Sequence, residues 1–202
     1  AAIEPLQATL DEGADLDAAA ALLRAAVDAA RVAVDEVPES EPGGYPAAPS
    51  TTIVAALVAP DRVVLASLGD SRAYLLVPSS GAGRRLTVDD SLAERAIAQG
   101  VPAETAYASP QAHVITGWLG GDAEGDDADV TSLALEGSGV LIVCSDGLWN
   151  YFEPAEQLAA MAAEAGDAPI DIARHLVQAA LDAGGSDNIT VVVATVDAPA
   201  PE

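Results

Sequence analysis

The spacing of hydrophobic and polar positions predicts a helical first part of the chain, followed by strands and a few shorter helices. Residues 1–37 carry apolar side chains at helical spacing in two stripes that the motif EGAD separates. The stripes consist of Ile3, Leu6 and Leu10, and of Leu22, Leu23, Val27, Ala30 and Val34. Residues 38–50 are too rich in proline and glycine for either period, so they predict a loop.

The chain beyond this loop predicts strands interrupted by helices. Segments with the short apolar or alternating pattern of strands are 51–59, 62–69, 72–77, 113–119, 130–135, 140–145 and 189–196. The first three, separated by turn residues, predict an antiparallel meander. Helices are predicted at 91–100, 154–165 and 169–183. Ser91 and Gly100 supply the start and stop signals of the first of these helices, and the polar segment 101–111 predicts irregular structure.

This order of elements indicates one α+β domain. Strands lie in the middle, helices lie towards both ends, and there is no regular alternation of strand and helix, which favours helices that cover antiparallel sheets. The 202 residues suffice for one domain with a sizeable core, so residues 1–202 are interpreted as a single domain.

The composition narrows the classes of partner. The chain has 32 acidic and 8 basic residues and a formal net charge of −24. A surface with this charge repels nucleic acid and anionic membranes and attracts divalent cations. A single cysteine, Cys144, excludes an intramolecular disulfide and a thiolate metal cluster, and two histidines are few for a zinc site. No apolar run has the length of a membrane span, so we expect a cytoplasmic protein without nucleic-acid or membrane partners.

Three carboxylates stand at strand ends, where a metal site can form. Asp70 and Asp146 directly follow predicted strands, and Asp187 precedes the last one. In antiparallel neighbours the end of one strand lies beside the start of the next, so Asp146 and Asp187 are expected at one sheet edge. Clustered carboxylates repel one another unless a cation lies between them, and oxygen ligands without His or Cys select Mg²⁺ or Mn²⁺. Each acid alone also fits an ordinary turn, and it is their joint placement that favours a metal site.

Four segments carry a specific set of motifs in a fixed order. They are LASLGDSRAYLL, LTVDDS, LIVCSDGLWNYF and GGSDNITVVVATV. In order and spacing they resemble the later motifs of the metal-dependent protein phosphatases of type 2C, the PPM family of serine/threonine phosphatases. The resemblance implies a sandwich of two antiparallel β-sheets flanked by helices, in α-β-β-α layers, with a metal cluster at one end.

The same resemblance implies roles for individual residues. Asp146 and Asp187 would ligate one catalytic metal, Asp70 would help to hold a third, weaker ion, and residues 91–117 would form a flap that governs substrate selectivity. The implied cofactors are two core Mn²⁺ or Mg²⁺ ions. The implied reaction is hydrolysis of phosphoserine and phosphothreonine esters in phosphoproteins by a metal-bound hydroxide, a step of signal transduction.

The chain departs from the family pattern at its start and at Gly117. The family's earlier motifs are an arginine that grips the phosphate, an acid after it, and an Asp-Gly whose aspartate bridges both metals; the sequence contains none of them. We therefore expect an N-terminally incomplete domain, completed by an upstream segment of the same polypeptide that also supplies strands. Residues 1–202 alone are expected to be inactive and poorly soluble, because edges such as 51–59 would be open to aggregation. Gly117 stands where many relatives have an arginine, so the sequence does not establish whether this position contacts the flap or a substrate phosphate.

Other interpretations stay open from the sequence. A catalytically inactive pseudophosphatase, or a regulatory module that binds phosphoproteins, would carry the same motifs. The motif GDSRA around Ser71 approximates the nucleophile elbow of a serine hydrolase, but the residues after it alternate like a strand rather than a helix. Arg72 fits either a substrate contact or an ion pair with an acidic neighbour. Residues 120–129 have the composition of a calcium loop, yet Asp127 stands where such a loop needs glycine.

Overall fold

The computed structural model describes most of the chain. The described ranges are 16–39, 48–121, 123 and 127–197. The predicted stripe of Ile3, Leu6 and Leu10 lies outside these ranges, as do parts of the loops predicted at 38–50 and 120–129.

Within these ranges the chain forms short helices and strands, and one helix of 20 residues. The helices are α1 (Leu16–Asp35), α2 (Leu92–Ala98), α3 (Ala103–Tyr107), α4 (Asp146–Trp149), α5 (Ala155–Ala165) and α6 (Pro169–Asp182). The strands are β1 (Ser50–Thr51), β2 (Ile53–Ala59), β3 (Arg62–Leu68), β4 (Arg72–Val77), β5 (Ala82–Arg85), β6 (Leu119–Gly120), β7 (Asp129–Ala134), β8 (Gly139–Cys144) and β9 (Val191–Val196). None of the helices in the described part of the chain combines the length and apolar character that a membrane span requires.

The chain divides into two compact units. The first contains the described residues of Ala1–Leu57, Val64–Asp70 and Asp89–Ser132, and the second those of Val58–Val63, Ser71–Val88 and Leu133–Glu202. Among the described residues the strand orders are β1-β6, β2-β3-β7 and β5-β4-β8-β9. The predicted α+β class, with antiparallel sheets and helices, is confirmed.

The core of the first unit contains α1 together with residues of β2 and β3. Leu23 and Val27 of α1 are buried in one cluster with Leu68, and Ala30 and Val34 pack against that cluster. This spacing of three and four residues places one face of the helix in the core, which confirms the second predicted stripe for these residues of α1.

The core of the second unit lies between the β4-β8 ladder and the helices that follow it. Tyr74 and Ile142 pair across the ladder, and neither has exposed surface. Leu158 of α5 and Leu176 of α6 are equally buried in the same cluster. Burial raises the pKa of the Tyr74 hydroxyl to about 12, although its hydrogen bond with Arg72 acts in the opposite direction.

Some predicted strand pairings were wrong. The predicted meander is broken after β3, because β2 and β3 belong to one sheet while β4 pairs with β5 and β8 in another. The strands β7 and β8, which follow each other in the chain, also lie in different sheets. Both faces of β3 are almost completely buried, so its apolar pattern contains no information about which strand is its neighbour.

The strand predicted at 113–119 was wrong for most of its length. Apart from the two-residue β6 at its end, it forms only an isolated bridge between Ser91 and Ile115. Its backbone also bonds to the beginning of α2, where Leu92 N donates to Val114 O at 3.0 Å. Alternating side chains therefore reflect an extended segment against a helix terminus rather than a member of a sheet.

The helix predicted at 91–100 is confirmed as α2. Ser91 Oγ accepts a hydrogen bond from Glu94 N at 3.3 Å, and Gly100 just beyond the helix has a φ of +93°. The helix α3 within 101–111 was not predicted, and neither were β5 and α4. Elements of four or five residues are too short to show a hydrophobic period.

Replacing Ile142 by alanine should lower the free energy of unfolding by about 2–5 kcal/mol, because a fully buried side chain leaves a cavity. The matched variant is Val192→Ala on the neighbouring strand β9, where 57% of the residue is exposed and the change should stay within about 0.5 kcal/mol. Urea unfolding of both variants measures the difference, and equal losses would contradict this description of the core.

Candidate metal centre

The pairing of β8 with β9 brings two predicted ligands to one end of the second unit. The last residue of β8 pairs with the first residue of β9. Just beyond them, Ser145 N donates to Thr190 O at 3.1 Å. Asp146 follows Ser145 in the chain, and Asp187 shortly precedes Thr190. Antiparallel pairing therefore places both aspartates at the same end of the sheet, as the sequence predicts.

The side chain of Ser145 ties the two aspartate segments together. Its Oγ donates to Asn188 O at 3.0 Å and accepts from Thr190 N at 3.0 Å. Ser145 directly precedes Asp146, and Asn188 directly follows Asp187. The relative position of the two candidate ligands is thus set by hydrogen bonds from residues next to each of them. Sequence reasoning missed Ser145, and its place beside Asp146 is the only signal that could have found it.

Gly147 allows the two segments to approach closely. An added Cβ at this position would lie 2.3 Å from Asn188 O and 2.9 Å from the carbonyl carbon of Asn188. A side chain of any kind would push Asn188 away, and Asp187 beside it. The Asp-Gly dipeptide, which taken alone fits a simple turn, is therefore required by a close backbone contact.

The electrostatics of Asp146 depend on its burial and on Asp187. Asp146 is the first residue of α4 and is half-buried. Burial raises the pKa of its carboxyl above the ordinary value of 3.8, and the negative charge of Asp187 raises that pKa further. Backbone N–H groups of Gly147 and of Asp146 itself act in the opposite direction. Two carboxylates that repel one another in this way form a site whose repulsion a bound cation relieves.

The donor set fits a divalent cation that prefers oxygen. Asp146 and Asp187 offer carboxylate oxygens, of which Asp187 Oδ1 also accepts the N–H of Asn188 at 2.7 Å. Mg²⁺ and Mn²⁺ prefer such hard ligands. In the part of the chain that the structure describes, no group of three or more His, Cys, Asp and Glu residues is arranged to hold a metal ion. The aspartate pair is a partial ligand set, and metal binding by it stays a prediction.

Asp70, the third predicted ligand, lies in the first unit at the turn after β3. Gly69 before it has a φ of +105°, which favours glycine. Asp90, from the motif LTVDDS, holds this turn: Gly69 N donates to Asp90 Oδ2 at 2.7 Å, and Asp90 N donates to Gly69 O at 2.9 Å. A role of Asp70 in holding a third ion stays a prediction.

The predicted flap, residues 91–117, belongs to the first unit and contains α2 and α3. Its small buried cluster consists of Ala93, Ala106 and Ala112. Tyr107 OH donates to Glu94 Oε1 at 2.7 Å and so links the two helices. An added Cβ at Gly117 would lie 3.0 Å from Asp90 Cγ, so a larger residue there would require the Asp90 side chain to shift.

Arg72 is held inside the second unit. It has no exposed surface, and its Cζ lies 3.6 Å from the centroid of the Trp149 ring, a cation–π contact. Its Nη1 donates to Tyr74 OH at 3.3 Å and lies 3.5 Å from Glu153 Oε1. The structure therefore contains the ion pair with an acidic neighbour that the sequence left open. A substrate contact of Arg72 stays a prediction.

The serine of the GDSRA motif lacks the setting of a nucleophile elbow. Ser71 directly precedes β4, so the chain passes from one strand through a turn into another strand. A nucleophile elbow joins a strand to a helix. The serine hydrolase interpretation of Ser71 is therefore not supported.

Comparison with known proteins identifies the family. The sequence model of protein phosphatase 2C matches residues 1–171. The chain belongs to the protein phosphatase 2C family. Asp70 and Asp146 lie within the matched residues, and Asp187 lies beyond them.

Similarity to individual members of the protein phosphatase 2C family extends over most of the chain. The serine/threonine phosphatase stp of Listeria innocua is 34% identical over 145 residues, which cover 71% of this chain and 55% of that protein. The chain thus spans about half the length of this relative.

Solved structures of phosphatases share the fold. That of the Streptococcus agalactiae serine/threonine phosphatase has a TM-score of 0.74 and 26% identity, and the match covers 97% of this chain and 80% of that one. The catalytic domain of the serine/threonine protein phosphatase PstP in complex with two manganese ions has a TM-score of 0.66 and 28% identity, with 97% and 80% covered.

In the metal-free protein, Asp146→Asn should raise the free energy of unfolding at about pH 7, by less than about 1 kcal/mol because solvent screens a half-buried group. The folded pKa of Asp146 lies above its unfolded pKa, so the folded state binds more protons and wild-type stability falls as the pH rises between the two values. The gain should therefore shrink as the pH falls towards the ordinary carboxyl value of 3.8.

Thermal unfolding of both proteins in the presence of a chelator, at about pH 7 and near the ordinary carboxyl pKa of 3.8, measures this difference in stability. Asp129→Asn, at an exposed acid of β7, makes the same chemical change outside this pair and should leave the free energy of unfolding nearly unchanged. A loss of stability in Asp146→Asn at about pH 7 would contradict the repulsion between Asp146 and Asp187.

Proposed function

We propose that this chain is part of a metal-dependent protein serine/threonine phosphatase that hydrolyses phosphoserine and phosphothreonine esters in phosphoprotein substrates. The observation that carries the proposal is the pair Asp146 and Asp187, held at one end of the second unit through Ser145. Membership of the protein phosphatase 2C family supports it, and the two manganese ions bound by the similar PstP catalytic domain support Mn²⁺ or Mg²⁺ as cofactor.

The residues of the chain would hold and orient the cofactor. Asp146 and Asp187 would ligate a core ion, and Asp70 would contribute to a third, weaker site. A divalent cation supplies Lewis-acid chemistry, since it lowers the pKa of water and offsets charge on phosphate oxygens. Ser145 would keep the two carboxylates at a constant separation during turnover. No protein nucleophile is needed, which leaves Ser71 without a chemical role.

We expect full-length protein to hydrolyse a phosphothreonine peptide with Mn²⁺ or Mg²⁺ and to stop when a chelator is added. Asp146→Asn and Asp187→Asn should each lower kcat/KM by about 100-fold or more, because a shared metal loses charge and geometry together. Asp70→Asn should lower turnover while leaving the affinity of the core ions nearly unchanged. Asp129→Asn, an exposed acid in β7, should behave like the wild type.

Phosphate release measures activity, and calorimetric titration with Mn²⁺ measures ion binding in the same variants. Chelator-resistant turnover, or wild-type Mn²⁺ affinity in Asp187→Asn, would contradict the proposal. Metal binding and phosphopeptide binding without any turnover would instead identify an inactive pseudophosphatase or a regulatory module.

We also propose that an upstream segment of the same polypeptide completes the site with a bridging aspartate. Two carboxylates leave most positions around a six-coordinate ion to water, so the pair alone should bind weakly. The match to about half of the Listeria innocua relative is consistent with further residues in the complete protein.

Residues 1–202 expressed alone should therefore be catalytically inert and poorly soluble. The strand β2 stands at the end of its described sheet, and an open apolar edge of this kind favours aggregation. Purification of this segment beside the full-length protein, followed by the Mn²⁺-dependent assay, is a direct comparison. Robust turnover by residues 1–202 would show that the ligand assignment is wrong.

The remaining expectations are part of the same proposal. Residues 1–202 would belong to one catalytic domain, with residues 91–117 as a flap that selects substrates. The protein would act in signal transduction in the cytoplasm, a location supported by its single cysteine, which is buried and cannot form an intramolecular disulfide.

A further inference from the structure

The hydroxyl of Tyr151 holds the loop that carries Asp187. Tyr151 OH accepts a hydrogen bond from Ser186 N at 3.0 Å and donates to Ser186 Oγ at 2.9 Å. Ser186 directly precedes Asp187. One phenolic oxygen thus fixes both the backbone and the side chain of the residue next to a candidate metal ligand.

The loop is shaped around this hydroxyl. Gly184 has a φ of +140°, and an added Cβ there would lie 3.0 Å from Tyr151 OH. Just beyond α6, Gly184 N donates to Leu181 O and Gly185 N donates to Ala180 O, both at 3.1 Å. The two glycines therefore let the backbone pass close to the phenol, and Ser186 is the next residue along.

Asp187 is consequently anchored on both sides by the segment that carries Asp146. On its C-terminal side, Ser145 Oγ bonds to Asn188 O at 3.0 Å. On its N-terminal side, Tyr151 bonds to Ser186. Ser186 and Asp187 are exposed, so without Tyr151 the described hydrogen bonds would attach the N-terminal half of the loop only through the end of α6.

We propose that Tyr151 is a positioning residue for Asp187: its hydroxyl fixes the distance between the Asp146 and Asp187 carboxylates before a cation binds. This inference rests on the proposed function of the aspartate pair as a metal site. Groups that orient a metal ligand without touching the metal commonly change ion affinity by about 10- to 100-fold, and Tyr151 should act in this way. Its hydroxyl bonds to Ser186 rather than to either aspartate, so its effect should appear in metal affinity rather than in turnover at saturating metal.

The test compares Tyr151→Phe with Tyr107→Phe in full-length protein. Both variants remove one phenolic oxygen and nothing else, but Tyr107 OH bonds to Glu94 in the first unit. Titration with Mn²⁺ alone, followed by electron paramagnetic resonance of the free ion, measures affinity. Amide hydrogen exchange at Ser186 in the presence of a chelator reports loop anchoring independently of any metal or activity.

In Tyr151→Phe we expect the Kd for Mn²⁺ to rise by about 10-fold. This value is at the low end of the range of about 10- to 100-fold because Tyr151 is only half-buried. The Ser186 amide should exchange faster, and kcat at saturating Mn²⁺ should stay close to the wild-type value. Ser186→Ala should show a smaller rise in Kd, since it retains the bond from its own N–H to Tyr151. Tyr107→Phe should change neither the Kd for Mn²⁺ nor exchange at Ser186.

Unchanged Mn²⁺ affinity or unchanged Ser186 exchange in Tyr151→Phe would overturn the positioning role while leaving the metal site intact. An equal loss of Mn²⁺ affinity in Tyr107→Phe would also overturn the positioning role, because the loss would then not depend on the bond between Tyr151 and Ser186. If the wild-type protein binds no Mn²⁺, the proposed function itself fails, and the positioning role with it.

Discussion

The antiparallel pairing of β8 with β9 is the constraint on which the site depends. Their register places the end of one strand opposite the beginning of the other, and the hydrogen bond from Ser145 N to Thr190 O extends it by one step. Asp146 and Asp187 stand just beyond this last pair. A slip of the register by one residue would separate them and would also turn the apolar side chains of β8 away from the core of the second unit. Core packing and ligand placement are therefore two results of the same pairing.

The arrangement works against the stability of the metal-free protein. Two carboxylates are held together, one of them half-buried, and the pKa of Asp146 is raised as a result. Hydrogen bonds from neighbouring groups keep the pair in place despite this repulsion. Such an arrangement is typical of a site that is organised before its ion arrives, because the ion then meets ligands that need little rearrangement. This electrostatic cost connects the fold to the proposed phosphatase chemistry.

The sequence predicts the parts of the fold that have a strong period or a clear terminal signal. The α1 stripe with Leu23 and Val27, the Ser91 cap of α2 and the closing strand β9 all agree with the structure. Pairing partners were less predictable. The strand β3 is buried on nearly every position, so its residues do not distinguish a meander from a change of sheet. The segment before β6 alternates like a strand although its partner is a helix terminus.

Only some residues of the candidate site could be predicted from the sequence. Asp146 and Asp187 are visible in the sequence because acids directly beside apolar strands are unusual as a set. The residues that hold them are not visible. Ser145 acts through hydrogen bonds to residues more than forty positions away, and Tyr151 acts through a bond to Ser186 with a sequence separation of 35. No local sequence pattern encodes such contacts. The need for glycine at position 147 is likewise evident only from the close approach of the Asn188 backbone in the structure.

Diffraction from crystals of the full-length protein grown with Mn²⁺ would show whether Asp146 and Asp187 hold one divalent cation between them. Data collected at the manganese absorption edge locate the ion without reference to any assumed ligand. We expect an anomalous peak in contact with a carboxylate oxygen of each of these two aspartates. Well-occupied manganese elsewhere in the protein, with both carboxylates bound only to protein groups or water, would contradict it.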